Sequence, residues 1–248
     1  MNNIPRLIAR MDIKNTQLIK SIRYEGLNVI GPAKEYTKKY YEDELDEIIY
    51  IDTVASLYGR NTLEEIVDYS TKNIFIPICV GGGIQSIEMV KNILNSGADK
   101  ICINSYAVKN PNIIKEISNT FGSQCTVISV QAKKRGNNKW EVFTDNGREP
   151  SNLDVMEWSK VVEEKGAGEI LITSIDNDGT ELGLDHDLLK NISNLVSIPI
   201  IASGGSKDEN DIIKLFNNTK CSGVAIGSAL HNGKINITNL KRKILGKL

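Results

Sequence analysis

Two clusters of residues in this chain have the composition of an anion cradle, and they recur at a near-constant spacing. Gly81-Gly82-Gly83 is followed by Asn104-Ser105, and Ser203-Gly204-Gly205, 122 positions further on, is followed by Gly227-Ser228. Glycine lets backbone N–H groups approach an anion with no Cβ in the way, and a helix start after the loop adds more donors. One such pair alone is explained equally well as a tight strand-to-helix turn. Two pairs at matching offsets, each with a small hydroxyl residue after the next apolar run, favour binding of a substrate phosphorylated at both ends. The spacing is neither a Rossmann fingerprint nor a Walker loop, so no nucleotide cofactor is implied. No His, Cys and Asp grouping has the ligand spacing of zinc or iron, and we expect neither metal nor cofactor. Neither His186 nor His231 falls at the end of an apolar run, which argues against histidine catalysis.

The elements that must position these clusters are legible as short β-branched runs alternating with amphipathic stretches, the pattern of βα units in a parallel sheet. The expected strands are 7–12, 47–52, 76–80, 100–104, 126–131, 169–173, 199–202 and 223–226, with helices over 63–71, 87–96, 112–120, 155–165 and 208–216. The chain also repeats at half its length: Ile76-Pro77-Ile78 returns as Ile198-Pro199-Ile200, and Asp46-Glu47-Ile48 is echoed by Gly168-Glu169-Ile170. Four βα units per half predict a closed (β/α)₈ TIM barrel built from two half-barrel repeats, a single domain over residues 1–248. An open doubly wound sheet is the alternative, but it gives no reason for the repeat.

The 30 basic and 31 acidic residues are interspersed, so no basic face advertises nucleic acid or an anionic membrane. No run of roughly 18 apolar residues exists, and the N-terminal stretch lacks the apolar core of a signal peptide. Four well-separated cysteines, Cys79, Cys102, Cys125 and Cys221, three of them inside apolar runs, read as buried thiols of a cytoplasmic protein.

The segments Arg6 to Lys14 (RLIARMDIK), Gly81 to Ile84 (GGGI), Gly97 to Asn104 (GADKICIN), Phe121 to Gln124 (FGSQ), Gly166 to Gly179 (GAGEILITSIDNDG) and Ile200 to Gly205 (IIASGG) together resemble the cyclase subunit family of imidazole glycerol phosphate synthase, HisF. The resemblance spans essentially the whole chain. It implies a lyase-type cyclase of histidine biosynthesis. Ammonia made by a partner glutaminase, HisH-like and paired as a heterodimer, travels up the barrel to a bisphosphorylated aminoimidazole carboxamide precursor. The family relies on two aspartates at the ends of the first and fifth strands as general acid and base. Asp12 matches the first, but the second position is Gln131, and an amide orients a substrate without exchanging protons near neutral pH. Asp178 is the nearest matched carboxylate that would share the work; its other reading is a turn residue. Gly179 beside it joins the phosphate-binding set, and Lys20 matches a substrate-contacting lysine, although a solvated surface lysine is the plainer expectation.

The resemblance also matches Arg6, Glu47, Lys100 and Glu169 to a charged ring that gates ammonia at the barrel floor, and Asp99 to the docking face for the glutaminase. Strand alternation puts Arg6 and Asp12 on one side of the first strand, roughly 20 Å apart, as floor and mouth. The same ring would serve as a salt-bridged floor that fixes strand register, and Asp99 as an ordinary solvated charge. Above the ring, Cys102 and Thr173 are small and leave a narrow passage. Residues 132–151 form an insert, within which 140–145 reads as a lid or as a small strand pair. Gln131 keeps two other readings open: a paralogue supporting amidation of a surface-glycan sugar, and a conduit without chemistry of its own.

Overall fold

The computed structural model describes residues 4–55 and 63–246. Among them, twelve strands form one sheet. Eight close into a parallel barrel in the order β1 (Arg6–Lys14), β4 (Glu47–Asp52), β5 (Ile78–Gly81), β6 (Lys100–Ile103), β7 (Thr126–Gly136), β10 (Glu169–Ser174), β11 (Ile200–Ser203) and β12 (Gly223–Ile226), with β12 returning to β1. This is the (β/α)₈ barrel that the half-length repeat predicts. The repeat is also present in space, because β4 and β5 reappear 122 positions later as β10 and β11.

Each strand alternates between two apolar environments, which is why these segments read as nearly continuous hydrophobic runs. Ile8, Ile49, Cys79, Cys102, Val127, Leu171, Ile201 and Ala225 point inward and form one closed layer across the barrel. Their neighbours, such as Leu7, Ile48, Val80, Ile128, Ile170 and Val224, point outward under the helices. Burying each large aliphatic side chain is worth about 1.5–3 kcal/mol, so the outer layer supplies most of the driving force. Several helices begin where an acidic or hydroxyl side chain caps them: Ser86 accepts from the Met89 N–H, Asp154 from Met156 and Glu157, and Asp208 from Asp211. Strands β5 and β11 start one or two residues later than expected. Pro77 and Pro199 have no N–H for the ladder and offer only carbonyls, to Ile48 and Ile170.

The remaining four strands are two hairpins. β1 runs past the barrel rim, turns at Asn15-Thr16 and continues as β2 (Gln17–Ile22) and β3 (Glu25–Pro32). β7 does the same, pairing with β8 (Lys139–Thr144), which pairs with β9 (Glu149–Asp154). Each half of the barrel thus carries a hairpin after its first strand, over the same rim. Among the described residues no helix is long and apolar enough to cross a membrane.

Candidate functional site

At the end of β1 four ionised side chains meet out of water. The Asp12 carboxylate accepts from Arg10 Nε at 3.1 Å on one oxygen and from Lys20 Nζ at 3.0 Å on the other. Lys20 also donates to both oxygens of Asp178, at 3.3 and 3.0 Å. Asp12, Arg10, Lys20 and Asp178 are all buried. Burial alone would raise the Asp12 pKa, but Arg10 and Lys20 outweigh it and hold this carboxyl well below the usual range, as an anion. Burial likewise opposes the Lys20 charge, and Asp12 and Asp178 reverse that, so its pKa is raised. The expectation of a solvated loop lysine is therefore overturned: Lys20 lies on β2, and the hairpin folds back over the rim and carries the ammonium inward. Asp178 is a turn residue, its N–H bonded to the Ser174 carbonyl, and its carboxylate is held on Lys20.

The glycine clusters lie at the ends of β5 and β11, and their partners follow β6 and β12, so the two sets are four strands apart around an eight-stranded ring and face each other. Gly82 and Gly83 (φ +107° and +67°) and Gly204 and Gly205 (+92° and +96°) adopt backbone conformations that favour glycine. A Cβ on Gly82 would sit 2.3 Å from the Asp52 carbonyl oxygen and one on Gly204 would sit 2.6 Å from that of Ser174, residues that are themselves 122 apart. The glycines are thus also required by close packing of the neighbouring loop. The N–H groups of Gly83, Gly205, Gly227 and Ser228, which lie beyond the strand ladders, have no acceptor among the described residues. Asn104 Oδ1 is buried without a partner beside the first set, and the Ser206 and Ser228 hydroxyls beside the second. The first set opens on a cavity of about 280 Å³, lined also by Gln131 and Ser105, that reaches down to Cys102 and Leu171. The second set surrounds only about 10 Å³, with Gly179 and Asp178 in its wall.

Gln131 lies on β7, buried, and its Oε1 accepts the Gly147 N–H at 2.8 Å. It thereby pins the turn between β8 and β9 over the mouth, where Gly147 packs against Tyr24 from the first hairpin. The insert is therefore a strand pair whose turn also covers the rim. At the floor, Arg6 bonds to Glu47 at 2.5 Å and to Glu169, while Lys100 lies 3.0 Å from Glu47 and 3.1 Å from Glu169. Two cations and two anions alternate in a closed ring. Burial raises the Glu47 pKa despite Lys100 and Arg6, so the ring holds its charges at an electrostatic cost. Asp99 is exposed at the same end, its carboxylate accepting the Ile78 N–H at 2.8 Å.

The model of the histidine biosynthesis protein family matches residues 6–236. A protein of Legionella pneumophila called imidazole glycerol phosphate synthase subunit HisF is 55% identical over 205 residues, 83% of this chain and 96% of that protein. Proteins of the same name from Prochlorococcus marinus and Bacillus cereus are 43% identical over 244 residues and 41% over 239, covering 98% and 96% of this chain and 96% and 95% of their own lengths. This chain belongs to the HisF family. The relatives' names carry the cyclase reading, and none carries the surface-glycan or conduit readings.

This HisF-family chain also places at its centre a residue that sequence reasoning passed over. Arg10 points into the barrel, with Nη1 donating to the hydroxyls of Thr173 at 3.0 Å and Ser203 at 3.2 Å, and Nη2 to the Tyr24 hydroxyl at 3.0 Å. Burial would lower its pKa, and Asp12 and its other neighbours raise it well above the ordinary value instead. The passage expected to be lined by small neutral residues at Cys102 and Thr173 therefore has a cation in its wall. The signal was available: the alternation that pairs Arg6 with Asp12 puts Arg10 on the same face. Tyr24 carried no such signal, because its place depends on how the hairpin folds back. Among the described residues no group of three or more His, Cys, Asp or Glu side chains could hold a metal ion.

Proposed function

We propose that this chain is the cyclase subunit of an imidazole glycerol phosphate synthase. It takes ammonia from a separate HisH-like glutaminase subunit and uses it to convert a bisphosphorylated aminoimidazole carboxamide precursor to imidazole glycerol phosphate. The observation that carries the proposal is the pair of glycine cradles opposed across one mouth, with unpartnered N–H groups in each, the unpartnered Ser206 and Ser228 hydroxyls in the second, and Asp12 between them. A ligand with a phosphate at each end spans such a mouth and presents its middle to Asp12. The Asp12 carboxylate, ionised at neutral pH, accepts a proton from the reacting centre, and Lys20 and Asp178 hold it in place. Gln131 orients the substrate through its amide and keeps the β8–β9 turn closed over it. Ammonia enters through the ring of Arg6, Glu47, Lys100 and Glu169, and Asp99 lies on the face that the glutaminase meets.

The test is to supply ammonium and the precursor to the isolated protein and follow loss of the precursor. Turnover that is abolished in Asp12→Asn and increased in Gln131→Asp supports the reading. A protein that neither turns over nor binds the bisphosphate refutes it. With the glutaminase present, Asp99→Ala is expected to weaken stimulation of glutamine hydrolysis while leaving ammonium-dependent turnover in place.

A further inference from the structure

The two cradles repeat in backbone and differ in size and in the burial of their glycines. The first holds about 280 Å³ beside the half-buried Gly82, Gly83 and Ser105, and the second only about 10 Å³, with Gly204, Gly205 and Ser206 all buried. Ser206 is 7% exposed and its hydroxyl, like that of Ser228, has no partner, so the second cradle holds buried polar atoms with unused hydrogen-bonding capacity. Arg10 lines both cavities. Its guanidinium reaches the second cradle through Ser203, and four of its five N–H groups are engaged, by Asp12, Thr173, Ser203 and Tyr24. The fifth has no acceptor among the described residues.

We infer that Arg10 is an anion-contacting residue of the second cradle, and that a phosphate bound there draws the guanidinium off Asp12 and Tyr24. This inference rests on the bisphosphate reading above. The chemistry favours the exchange: a dianionic phosphate presents a planar guanidinium with more charge and better fork geometry than a carboxylate already shared with Lys20, or a neutral phenol. Asp12 then faces Lys20 and Asp178 without the guanidinium and becomes a stronger base. The groups around it are Arg10 on its own strand, Lys20 on β2, Tyr24 in the hairpin turn, Asp178 after β10 and His231 after β12. Arg10 is in this respect a positioning residue for Asp12.

The experiment uses inorganic phosphate and the ¹⁵N-labelled full chain, following the amides of Gly82 and Gly83 for the first cradle and of Gly204 and Gly205 for the second. Both pairs are expected to shift in the unmodified protein. In Arg10→Met the second cradle is expected to bind phosphate about tenfold more weakly, with the first unchanged. Arg10→Lys, which keeps the charge but loses the planar fork, guards against a folding defect and is expected to bind more weakly than the unmodified protein and more tightly than Arg10→Met. Phosphate is also expected to raise the titration midpoint of the Asp12 carboxyl carbon in the unmodified protein and not in Arg10→Met, a readout that a merely structural arginine would not move. If both cradles bind and Arg10→Met leaves the second unaffected, or weakens both equally, the inference is wrong while the bisphosphate reading stands. If phosphate moves neither pair of amides in the unmodified protein, both fall.

Discussion

Asp12 sits between two cations, and its loss is expected to cost stability as well as activity. Asp12→Asn leaves Arg10 and Lys20 buried and facing each other, so urea denaturation at pH 7 should show a loss of about 3 kcal/mol. The carboxyl is lowered below its unfolded value, so its stabilisation is present above about pH 4 and disappears as pH falls further. His231 acts in a separate window. It is buried against the Tyr40 hydroxyl at 2.6 Å, and burial, then Lys20, lowers its pKa to about 4. Below about pH 6.5 the unfolded chain takes up a proton that the folded chain refuses, so stability rises with pH between those values. Between pH 7.5 and 4.5 this contributes a loss of about 2 kcal/mol, which His231→Gln should remove from a pH series of denaturation midpoints. At this scale the sequence made Asp12 and the floor ring legible through resemblance and strand alternation. The contacts that join Arg10, Tyr24 and Lys20 depend on a hairpin that alternation along β1 does not describe.

The hairpins mark where element-level reading ran out. β2 and β3 are joined to β1 through Asn15-Thr16, a turn lacking the glycine that announces a two-residue hairpin, and β3 is mostly exposed, so no apolar alternation betrays it. The barrel strands were legible because burial on both faces imposes β-branched runs. Gln131 connects the two levels, since a barrel residue fixes a rim turn through a single hydrogen bond. Gln131→Ala is expected to speed hydrogen exchange at the Gly147 amide about tenfold, with exchange in β7 unchanged. The cradle glycines give a sharper contrast. Gly204→Ala combines a φ of +92° with a methyl 2.6 Å from the Ser174 carbonyl oxygen, and should cost more than about 2 kcal/mol. Gly26→Ala, at φ +65° with nothing within 4 Å, carries only the backbone term of about 1 kcal/mol. Equal losses in thermal denaturation would mean that loop packing does not constrain the cradle.

Across the whole molecule, the repeat fixes which strand ends face one another, and it leaves the floor ring unexplained as a device for stability. Arg6, Glu47, Lys100 and Glu169 come from four different strands and pair in a closed cycle, yet burial raises the Glu47 pKa against two neighbouring cations. An apolar plug would close the floor at no such cost. Removing one member strands its partners: Lys100→Met leaves Glu47 and Glu169 sharing Arg6 alone and should destabilise by about 3 kcal/mol at pH 7. Replacing all four, as Arg6→Met, Glu47→Leu, Lys100→Met and Glu169→Leu, strands nothing and should restore or exceed the original stability. The same quadruple variant, combined with the glutaminase, separates the ring's two readings. A ring that only sets strand register leaves glutamine-driven turnover as efficient as turnover driven by added ammonium. An entry for ammonia makes the glutamine-driven reaction fall while the ammonium-driven one persists, and that divergence, in a protein at least as stable as the original, is the outcome expected here.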